Sequence, residues 1–361
     1  MADPSHNDNA FDFLRLLAAF AVVFSHSYAL LGLPEPTVAS ETFGQMGVDV
    51  FFALSGYLVC QSWLRDPDVM RFFLRRALRI FPGLFAAVLF TAIVVGGLAT
   101  TLPVIDYFTR SETWMFVIDN ASTISGRHNL PGVFEHRPIK AANGSLWTLR
   151  YEALMYILLA FIGLLFNRRF RLVCLASFLV SFATWAVCLA SGVASYELPL
   201  AFVWRLGLTI DLFWLTKWGA FFFAGSCLHL FRLRISSRAA AALLVAVLLA
   251  PASMKGPLLV LAVPYVAVAF AHYAPDMLKR KRPDLSYGMY VYAFPVQQLV
   301  SEFCVDVRAG WLAAFVTGSV ITACLASLSW HFVEAPALRL KQRLTQRVRV
   351  RETAQKPRFG P

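Results

Sequence analysis

Charged residues are scarce in this chain of 361 residues, since Asp, Glu, Lys and Arg together make up only 15% of it. A soluble domain usually carries about 25% charged residues. The apolar fraction is instead 58%, the mean hydropathy is +0.61, and long apolar runs recur to the end of the sequence. This composition excludes a soluble enzyme with a single anchor and predicts an all-α, polytopic integral membrane helix bundle.

Paired cysteines and metal-ligand motifs are also missing. The six cysteines stand singly, mostly within apolar runs, and none forms a Cys-x-x-Cys pair. We therefore expect buried thiols and neither a structural disulfide nor a metal site. His128, Glu135 and His136 share one loop, but solvated loop residues are the favoured interpretation there.

A cleavable leader is not indicated by the first residues. The first ten residues lack a basic segment, and no small-residue cleavage site follows the first apolar run. We therefore expect the first run to stay in the mature protein as a membrane span.

Ten apolar segments are predicted to cross the membrane, and basic residues give their orientation. With the N-terminus in the cytoplasm, most of the 33 Lys and Arg residues fall in inner segments. The net charge of +12 is then a topology signal facing an anionic leaflet, not a nucleic-acid footprint. The predicted spans are roughly 12–31, 46–63, 82–100, 151–166, 171–190, 213–231, 239–253, 257–273, 286–304 and 311–331.

Three regions follow from this topology. They are a short cytoplasmic N-terminus (1–11), a membrane domain (12–334) and a basic cytoplasmic tail (335–361). Both termini are predicted to be cytoplasmic.

Ionisable residues occur inside the predicted spans. Arg15 and His26 are eleven residues apart, so at roughly 100° per residue both side chains lie on one stripe of a helix. Asp49 and Glu152, near the outer ends of two other spans, are predicted to lie at a depth similar to that of His26. Because ionisable groups inside a membrane are costly to bury, this convergence indicates a functional site.

Three arginines crowd one patch before the third span, where Pro82 is predicted to begin or kink the helix. Arg75, Arg76 and Arg79 are close enough in sequence to share one helical patch. A positive-inside charge run is the common interpretation of such a patch. A phosphate clamp is the sharper one, because guanidinium groups match the geometry of phosphate.

Small and aromatic residues accompany these charges. Gly56, in the middle of the second span, is predicted to allow close helix packing. Pro295 is predicted to interrupt the ninth span and to free backbone groups that can line a cavity. Five further residues are predicted to line the site: Ser55, Trp147, Tyr156, Tyr287 and Tyr290.

The motifs resemble those of the acyltransferase-3 family, bacterial membrane enzymes that O-acylate surface sugars. FDFLRLLAAFAVVFSH, which contains Arg15 and His26, resembles the first block of the family. GVDVFFALSGYL, RRALRIFP, SLWTLRYEALMY, LSYGMYVYAFP and HFVEAPAL resemble the later blocks, in family order. The family often has a histidine before the proline of its fifth block. This chain has Phe294 there, so we assign no catalytic role to that position.

The resemblance also marks individual positions. Arg76 and Arg79 fall on the Arg-x-x-Arg pair of the family's third block. The marked positions of the fourth block are Trp147, Glu152 and Tyr156.

The resemblance implies an O-acyltransferase of the bacterial cytoplasmic (inner) membrane. Its co-substrate would be cytoplasmic acyl-CoA, usually acetyl-CoA, with no tightly bound cofactor, and its acceptor a carbohydrate hydroxyl at the outer side. It also implies that Arg15 and His26 are essential. We expect His26 to be the general base, since neutral imidazole is the usual base near pH 7. Arg15 and the arginine patch would hold the donor, and Glu152 or Asp49 would orient the imidazole or the acceptor.

Other interpretations stay open at this point. Intramembrane Arg, His and Glu also occur in proton-coupled transporters, although no matching pair of broken spans is visible in the two halves. A non-catalytic membrane scaffold is a further alternative. Within the acyltransferase interpretation, the acceptor can be a small lipid-linked or secreted glycosylated molecule, and the sequence does not distinguish direct transfer from an acyl-enzyme.

Overall fold

The structure is a computed structural model that describes residues 4–123, 128–193, 195–197, 210–280, 282–304 and 309–340, with side chains from residue 10 onward. The regular secondary structure of the described residues is helical apart from one antiparallel pair of two-residue strands, β1 (Thr37–Val38) and β2 (Glu41–Thr42). The α-helices are α1 (Pro4–Ala29), α2 (Phe43–Arg65), α3 (Val69–Phe90), α4 (Gly96–Ala99), α5 (Val104–Thr109), α6 (Ser111–Ala121), α7 (Leu149–Leu165), α8 (Phe170–Ala190), α9 (Leu212–Leu230), α10 (Ser237–Leu249), α11 (Ala252–Tyr273), α12 (Ser286–Glu302) and α13 (Gly310–Ser329). Two π-helical segments (Thr91–Val95 and Trp330–Glu334) and two 3-10 turns (Leu146–Thr148 and Asn167–Arg169) complete the description.

Each of the ten predicted spans falls on a helix. Within the described ranges, seven helical segments are long and apolar enough to cross a membrane by length and composition. The other three predicted spans coincide with α9, α10 and α12, which have 19, 13 and 17 residues. The polytopic helical membrane bundle is thus confirmed, while ten crossings and cytoplasmic termini stay predictions. The seven segments are Ala10–Ala29, Phe43–Arg65, Val69–Ala99, Leu146–Leu165, Asn167–Ala190, Ala252–Tyr273 and Gly310–Leu340.

Pro82 and Pro295 lie inside continuous helices, although the sequence predicted that Pro82 begins or kinks its span and that Pro295 interrupts one. One helical segment runs from Val69 to Ala99 across Pro82, so the predicted start of the third span at residue 82 is wrong. Likewise, α12 continues through Pro295. A proline cannot donate to the carbonyl four residues before it. Here the Asn143 side chain donates to the Val291 carbonyl oxygen at 2.9 Å, which satisfies the group that Pro295 leaves free.

Glycines set the close contact between α2 and α9. A Cβ added at Gly56 would lie 1.8 Å from the carbonyl oxygen of Phe222, and one at Gly225 would lie 2.1 Å from that of Ala53. The Ser226 hydroxyl donates to the Gly56 carbonyl oxygen at 3.0 Å. Small residues of this kind let helix backbones approach in a membrane. The packing role predicted for Gly56 is therefore confirmed.

The first helix occupies the middle of the bundle. It packs against α2 on one side and α12 on the other, and α12 packs in turn against α3 and α13. On the far side of α2 lie α7 and α9, followed by α8. The segment that contains α8 has a mean hydropathy of 2.3 and only 11% of it is buried, as expected for a helix that faces lipid.

Candidate active site

A cavity of about 630 Å³ opens among α1, α2, α3, α7 and α12. Its volume lies within the range of small-molecule and cofactor sites, which is about 300–1,000 Å³. Nine of the twelve predicted site residues line it. These nine are Arg15, Ser55, Arg75, Arg76, Arg79, Glu152, Tyr156, Tyr287 and Tyr290.

Among the three arginines of the predicted clamp, Arg76 is the one without a carboxylate partner in the described part of the chain. Its guanidinium carbon lies 5.7 Å from the ring centre of Phe72 and 5.6 Å from that of Tyr156. Its buried Nε has no hydrogen-bond partner there. A guanidinium held between aromatic rings without a counter-ion is ready to bind an anion that enters the cavity.

Arg79, the other member of the Arg-x-x-Arg pair, is neutralised by the protein itself. It pairs with Asp284, and its Nη1 lies 3.5 Å from the Glu334 carboxylate. Burial alone would raise the pKa of Asp284, but the charges of Arg79 and Arg15 and the hydrogen bonds from Ser286 outweigh burial and lower that pKa. The Arg79–Asp284 pair therefore stays ionised at physiological pH.

We expect Arg79→Ala to destabilise the fold. Glu334 is 2% exposed and Asp284 is 9% exposed, and the substitution leaves both carboxylates without their partner. Breaking a buried ion pair in this way costs about 3–5 kcal/mol. A fluorescence thermal-unfolding measurement in detergent should show a large fall in Tm, and adding Asp284→Asn and Glu334→Gln should restore part of it. An unchanged Tm for Arg79→Ala would contradict the structural role of this network.

Arg75 binds the turn between α2 and α3 through its side chain. Its guanidinium pairs with the Asp66 carboxylate and donates to the Asp66 carbonyl oxygen at 3.2 Å. Arg71 donates to the same carboxylate at 2.9 Å, and Asp68 accepts from the Arg71 amide at 2.7 Å as the N-cap of α3. Arg75 thus lines the cavity while its charge is already compensated.

Glu152 lies on the wall of the cavity contributed by α7. Its Oε1 accepts hydrogen bonds from the Ser55 hydroxyl at 2.9 Å and from the Tyr156 hydroxyl. Nearby, the hydroxyls of Thr148 and Tyr290 share a hydrogen bond of 2.6 Å. These hydrogen bonds orient the Glu152 carboxylate. They also orient the hydroxyls of Ser55, Tyr156 and Tyr290, which are three of the residues predicted to line the site.

His26 lies outside the lining of this cavity. Its ring packs edge-on against Phe294, with the ring centroids 5.0 Å apart. A Cβ added at Gly144 would lie 2.6 Å from the Phe294 ring, so the loop holds this ring close. The buried Nδ1 of His26 has no hydrogen-bond partner among the residues that the structure describes.

Asp49 belongs to a different set of charges. Its carboxylate accepts from the Trp218 indole at 3.2 Å and lies 3.4 Å from the Lys217 ammonium, which also pairs with Glu41 at 2.9 Å. Lys217 is only 2% exposed. The sequence suggested that Asp49, Glu152 and His26 meet in one site, but the structure does not bring them into contact with one another. Their roles stay untested predictions.

The helical period explains this separation. Asp49 and Ser55 are six residues apart, which at roughly 100° per residue puts them about 240° apart around α2. Ser55 consequently faces α7 and the cavity, whereas Asp49 faces α9. Similar depth in a membrane does not fix which face of a helix a residue occupies.

A second pocket, of about 170 Å³, is lined by aromatic and polar side chains at the start of α7 and α9. The Trp147 and Trp214 rings are 5.4 Å apart and nearly perpendicular. The buried Nδ1 of His128 has no partner among the described residues. Burial lowers the pKa of His128, and nearby Arg150 lowers it further, so this imidazole is neutral near pH 7. The lining residues are His128, Trp147, Arg150, Tyr151, Glu197, Asp211 and Trp214.

A row of aromatic rings separates the two pockets. Trp147, from the second pocket, packs on Trp218 with centroids 4.9 Å apart. Trp218 stacks in turn on Phe52, which lines the large cavity, also at 4.9 Å. Since Asp49 accepts from the Trp218 indole, it anchors this row.

Some residues of these charge networks were not predicted from the sequence. Lys217 sits in an apolar segment that reads as an ordinary span, and only its unusual charge there could have drawn attention. Asp284 follows a basic run and Glu334 lies near the inner end of the last span. Their pairing with Arg79 spans more than 200 residues of sequence, so only the fold reveals it.

Comparison with known proteins gives matches over nearly the whole chain. The model of the acyltransferase-3 family, described as an acyltransferase domain, matches residues 8–331. An O-acetyl transferase of Shigella phage Sf6 is 30% identical over 338 residues, which cover 91% of this chain and 96% of that protein. Nodulation protein 10 of Rhizobium leguminosarum bv. viciae is 28% identical over 373 residues, which cover 95% and 96%. No solved structure matches. The chain therefore belongs to the acyltransferase-3 family and is a membrane-bound O-acyltransferase.

Proposed function

We propose that the protein moves an acyl group, expected to be acetyl, from cytoplasmic acyl-CoA to a carbohydrate hydroxyl of a surface or exported polysaccharide or oligosaccharide. The membrane is proposed to be the bacterial cytoplasmic (inner) membrane. The observation that carries this proposal is the unpaired Arg76 in a cavity whose wall also presents the oriented carboxylate of Glu152. The name of the phage relative, an O-acetyl transferase, supports acetyl as the group transferred.

The proposed donor site is the arginine-lined part of the large cavity. Coenzyme A is rich in phosphate, and guanidinium groups bind phosphate with paired, charge-assisted hydrogen bonds. Arg76 supplies an uncompensated charge, and Arg15, which pairs with Asp12 at 3.2 Å, lines the same cavity. The apolar walls of Phe51, Phe52 and Leu58 suit the rest of the donor arm and its thioester.

The proposed reaction is attack of an acceptor hydroxyl on the thioester. The hydroxyl oxygen bonds to the carbonyl carbon, the carbon–sulfur bond breaks, and coenzyme A leaves as a thiolate that takes up a proton. A base must accept the hydroxyl proton as attack begins. We assign this role to His26, because it has a free ring nitrogen and no carboxylate partner among the described residues. The acceptor hydroxyl must then reach between His26 and the donor thioester.

The proposed acceptor site is the second pocket. Its tryptophan faces suit the apolar face of a sugar ring, while His128, Arg150 and Glu197 can hydrogen-bond hydroxyl groups. The Trp218 ring contacts both Trp147 of this pocket and Phe52 of the large cavity. This ring contact supports the proposal that an acceptor approaches the donor from this pocket.

Surface glycans from a deletion strain and its parent test this function. We expect one class of O-acyl ester, seen by NMR or mass spectrometry, to disappear on deletion and to return when the wild-type gene is restored. The same comparison identifies the acyl group and the acceptor sugar. Equal O-acyl content in the deletion strain and the parent would contradict the proposal.

A further inference from the structure

A separate cavity of about 320 Å³ lies at the end of the bundle where α2, α9 and α11 finish and α8 begins. It shares no lining residue with the donor cavity or the aromatic pocket. One part of its wall is basic, and the rest is aliphatic. The lining residues are Tyr57, Leu64, Arg171, Leu228, His229, Leu230, Arg232, Leu233, Ile235 and Val268.

The basic part of this cavity has no counter-ion within the described residues. Arg171 and Arg232 are exposed, neither takes part in an ion pair there, and no carboxylate is among the lining residues. His229 also lines the cavity and packs edge-on against Tyr57, with ring centroids 5.0 Å apart. Two guanidinium groups without a counter-ion in the lining of one cavity favour the binding of an anion there.

The backbone of Arg232 adopts a left-handed conformation that arginine rarely takes. Arg232 follows the C-terminal end of α9 with φ +47°, in the left-handed region. Helices commonly end with glycine in this conformation, because glycine has no Cβ to clash with the backbone. An arginine at this position is strained, so a glycine there would fit the backbone better while removing the charge.

The aliphatic wall restricts the kind of anion. Leu64 is 49% exposed and Leu233 is 51% exposed, so both present apolar surface beside the arginines. A free phosphate would leave this surface uncovered, whereas an acyl chain would cover it. Basic pockets between membrane helices on the cytoplasmic side are suited to anionic lipid headgroups.

We propose that this cavity binds an anionic phospholipid. Its phosphate lies between Arg171 and Arg232, and an acyl chain follows the wall formed by Leu64, Leu228 and Leu233. The arginine-rich segments predicted to be cytoplasmic place the site in the inner leaflet. The proposal is independent of the acyl-transfer reaction, because the site shares no residue with the donor cavity.

Native mass spectrometry of the purified full-length protein in detergent tests the site, with phosphatidylglycerol as the probe. We expect wild type to retain phosphatidylglycerol in preference to phosphatidylcholine, and glycerol phosphate to compete poorly. Arg232→Gly and Arg171→Gln should each weaken phosphatidylglycerol retention about tenfold, the loss of one charge-assisted contact. Arg238→Gln, an exposed arginine outside the cavity lining, is the matched control and should retain lipid as wild type does.

Thermal unfolding separates loss of binding from loss of fold. Arg232→Gly should keep or raise the Tm of the lipid-free protein, because it relieves the left-handed strain, and should lose the Tm increase that phosphatidylglycerol gives wild type. Unchanged phosphatidylglycerol retention in both cavity variants would overturn the proposal. So would equal retention of phosphatidylcholine, or competition by glycerol phosphate as strong as that of the intact lipid.

Discussion

Arg76→Ala is expected to raise the dissociation constant for acetyl-CoA by about 10- to 100-fold, because a hydrogen bond to a charged group contributes about 1.5–3 kcal/mol. The effect should fall on donor binding and leave the Tm nearly unchanged. The reason is that Arg76 has no ion pair to lose among the described residues, only its contacts with the rings of Phe72 and Tyr156. Binding of labelled acetyl-CoA to protein in nanodiscs measures the change.

Two other arginines provide the comparison for Arg76. Arg234→Ala removes one positive charge outside the cavity, so it should leave the dissociation constant within about twofold of wild type. Arg79→Ala should lower the Tm instead, through its buried carboxylate partners. Equal loss of acetyl-CoA binding in Arg76→Ala and Arg234→Ala would mean that only the overall positive charge matters. That result would contradict a specific phosphate site at Arg76.

His26→Ala is expected to lower acyl transfer by about 100-fold or more, since general-base catalysis contributes about 10²- to 10⁴-fold. Donor binding should be retained, because His26 does not line the donor cavity. The measurement is O-acyl content of surface glycan in a deletion strain that carries the variant, with protein level determined in the same cells.

His272→Ala is the control for the histidine prediction. His272 is an exposed residue of α11 that lines neither pocket, so its replacement should leave transfer unchanged. Retained glycan acylation by His26→Ala at a normal protein level would remove His26 from the mechanism. Glu152, whose carboxylate lies on the cavity wall, would then be the next base to test.

Most of the residues predicted for the site line the large cavity. Arg15, Arg76 and Arg79 stand out because charges inside or beside apolar spans are rare, and helical spacing groups the last two. Ser55 and Glu152 were marked as polar residues of two spans, and the structure joins them by a hydrogen bond. Rare polar residues in an apolar sequence are thus a usable signal for a site.

The pairing of these residues could not be read from the sequence. Arg76 and Arg79 look equivalent in the sequence. Among the described residues, however, Arg76 has no carboxylate partner, whereas Arg79 pairs with Asp284 and Glu334, because distant segments meet only in the fold. Asp49 likewise turns to Lys217 on α9 and not to His26, since sequence position gives depth but not the face of the helix. Long-range packing decides both.

Pro295 shows a further limit of local patterns. A proline removes one backbone donor, which favours a broken span when the sequence is read alone. The side chain of Asn143, 148 residues away in the chain, donates to the Val291 carbonyl oxygen that would otherwise be unpaired. The helix is therefore continuous, and the compensating residue lies in a loop.

The most direct test of acyl transfer uses purified protein in nanodiscs, acetyl-labelled acetyl-CoA and surface glycan isolated from the deletion strain. We predict that labelled O-acetyl ester appears on the glycan in step with release of coenzyme A. Both products should fall together in His26→Ala, and Arg76→Ala should need more acetyl-CoA to reach the same rate. Absence of labelled glycan at saturating acetyl-CoA, or uptake of label into sealed vesicles without ester formation as in a transporter, would contradict the account.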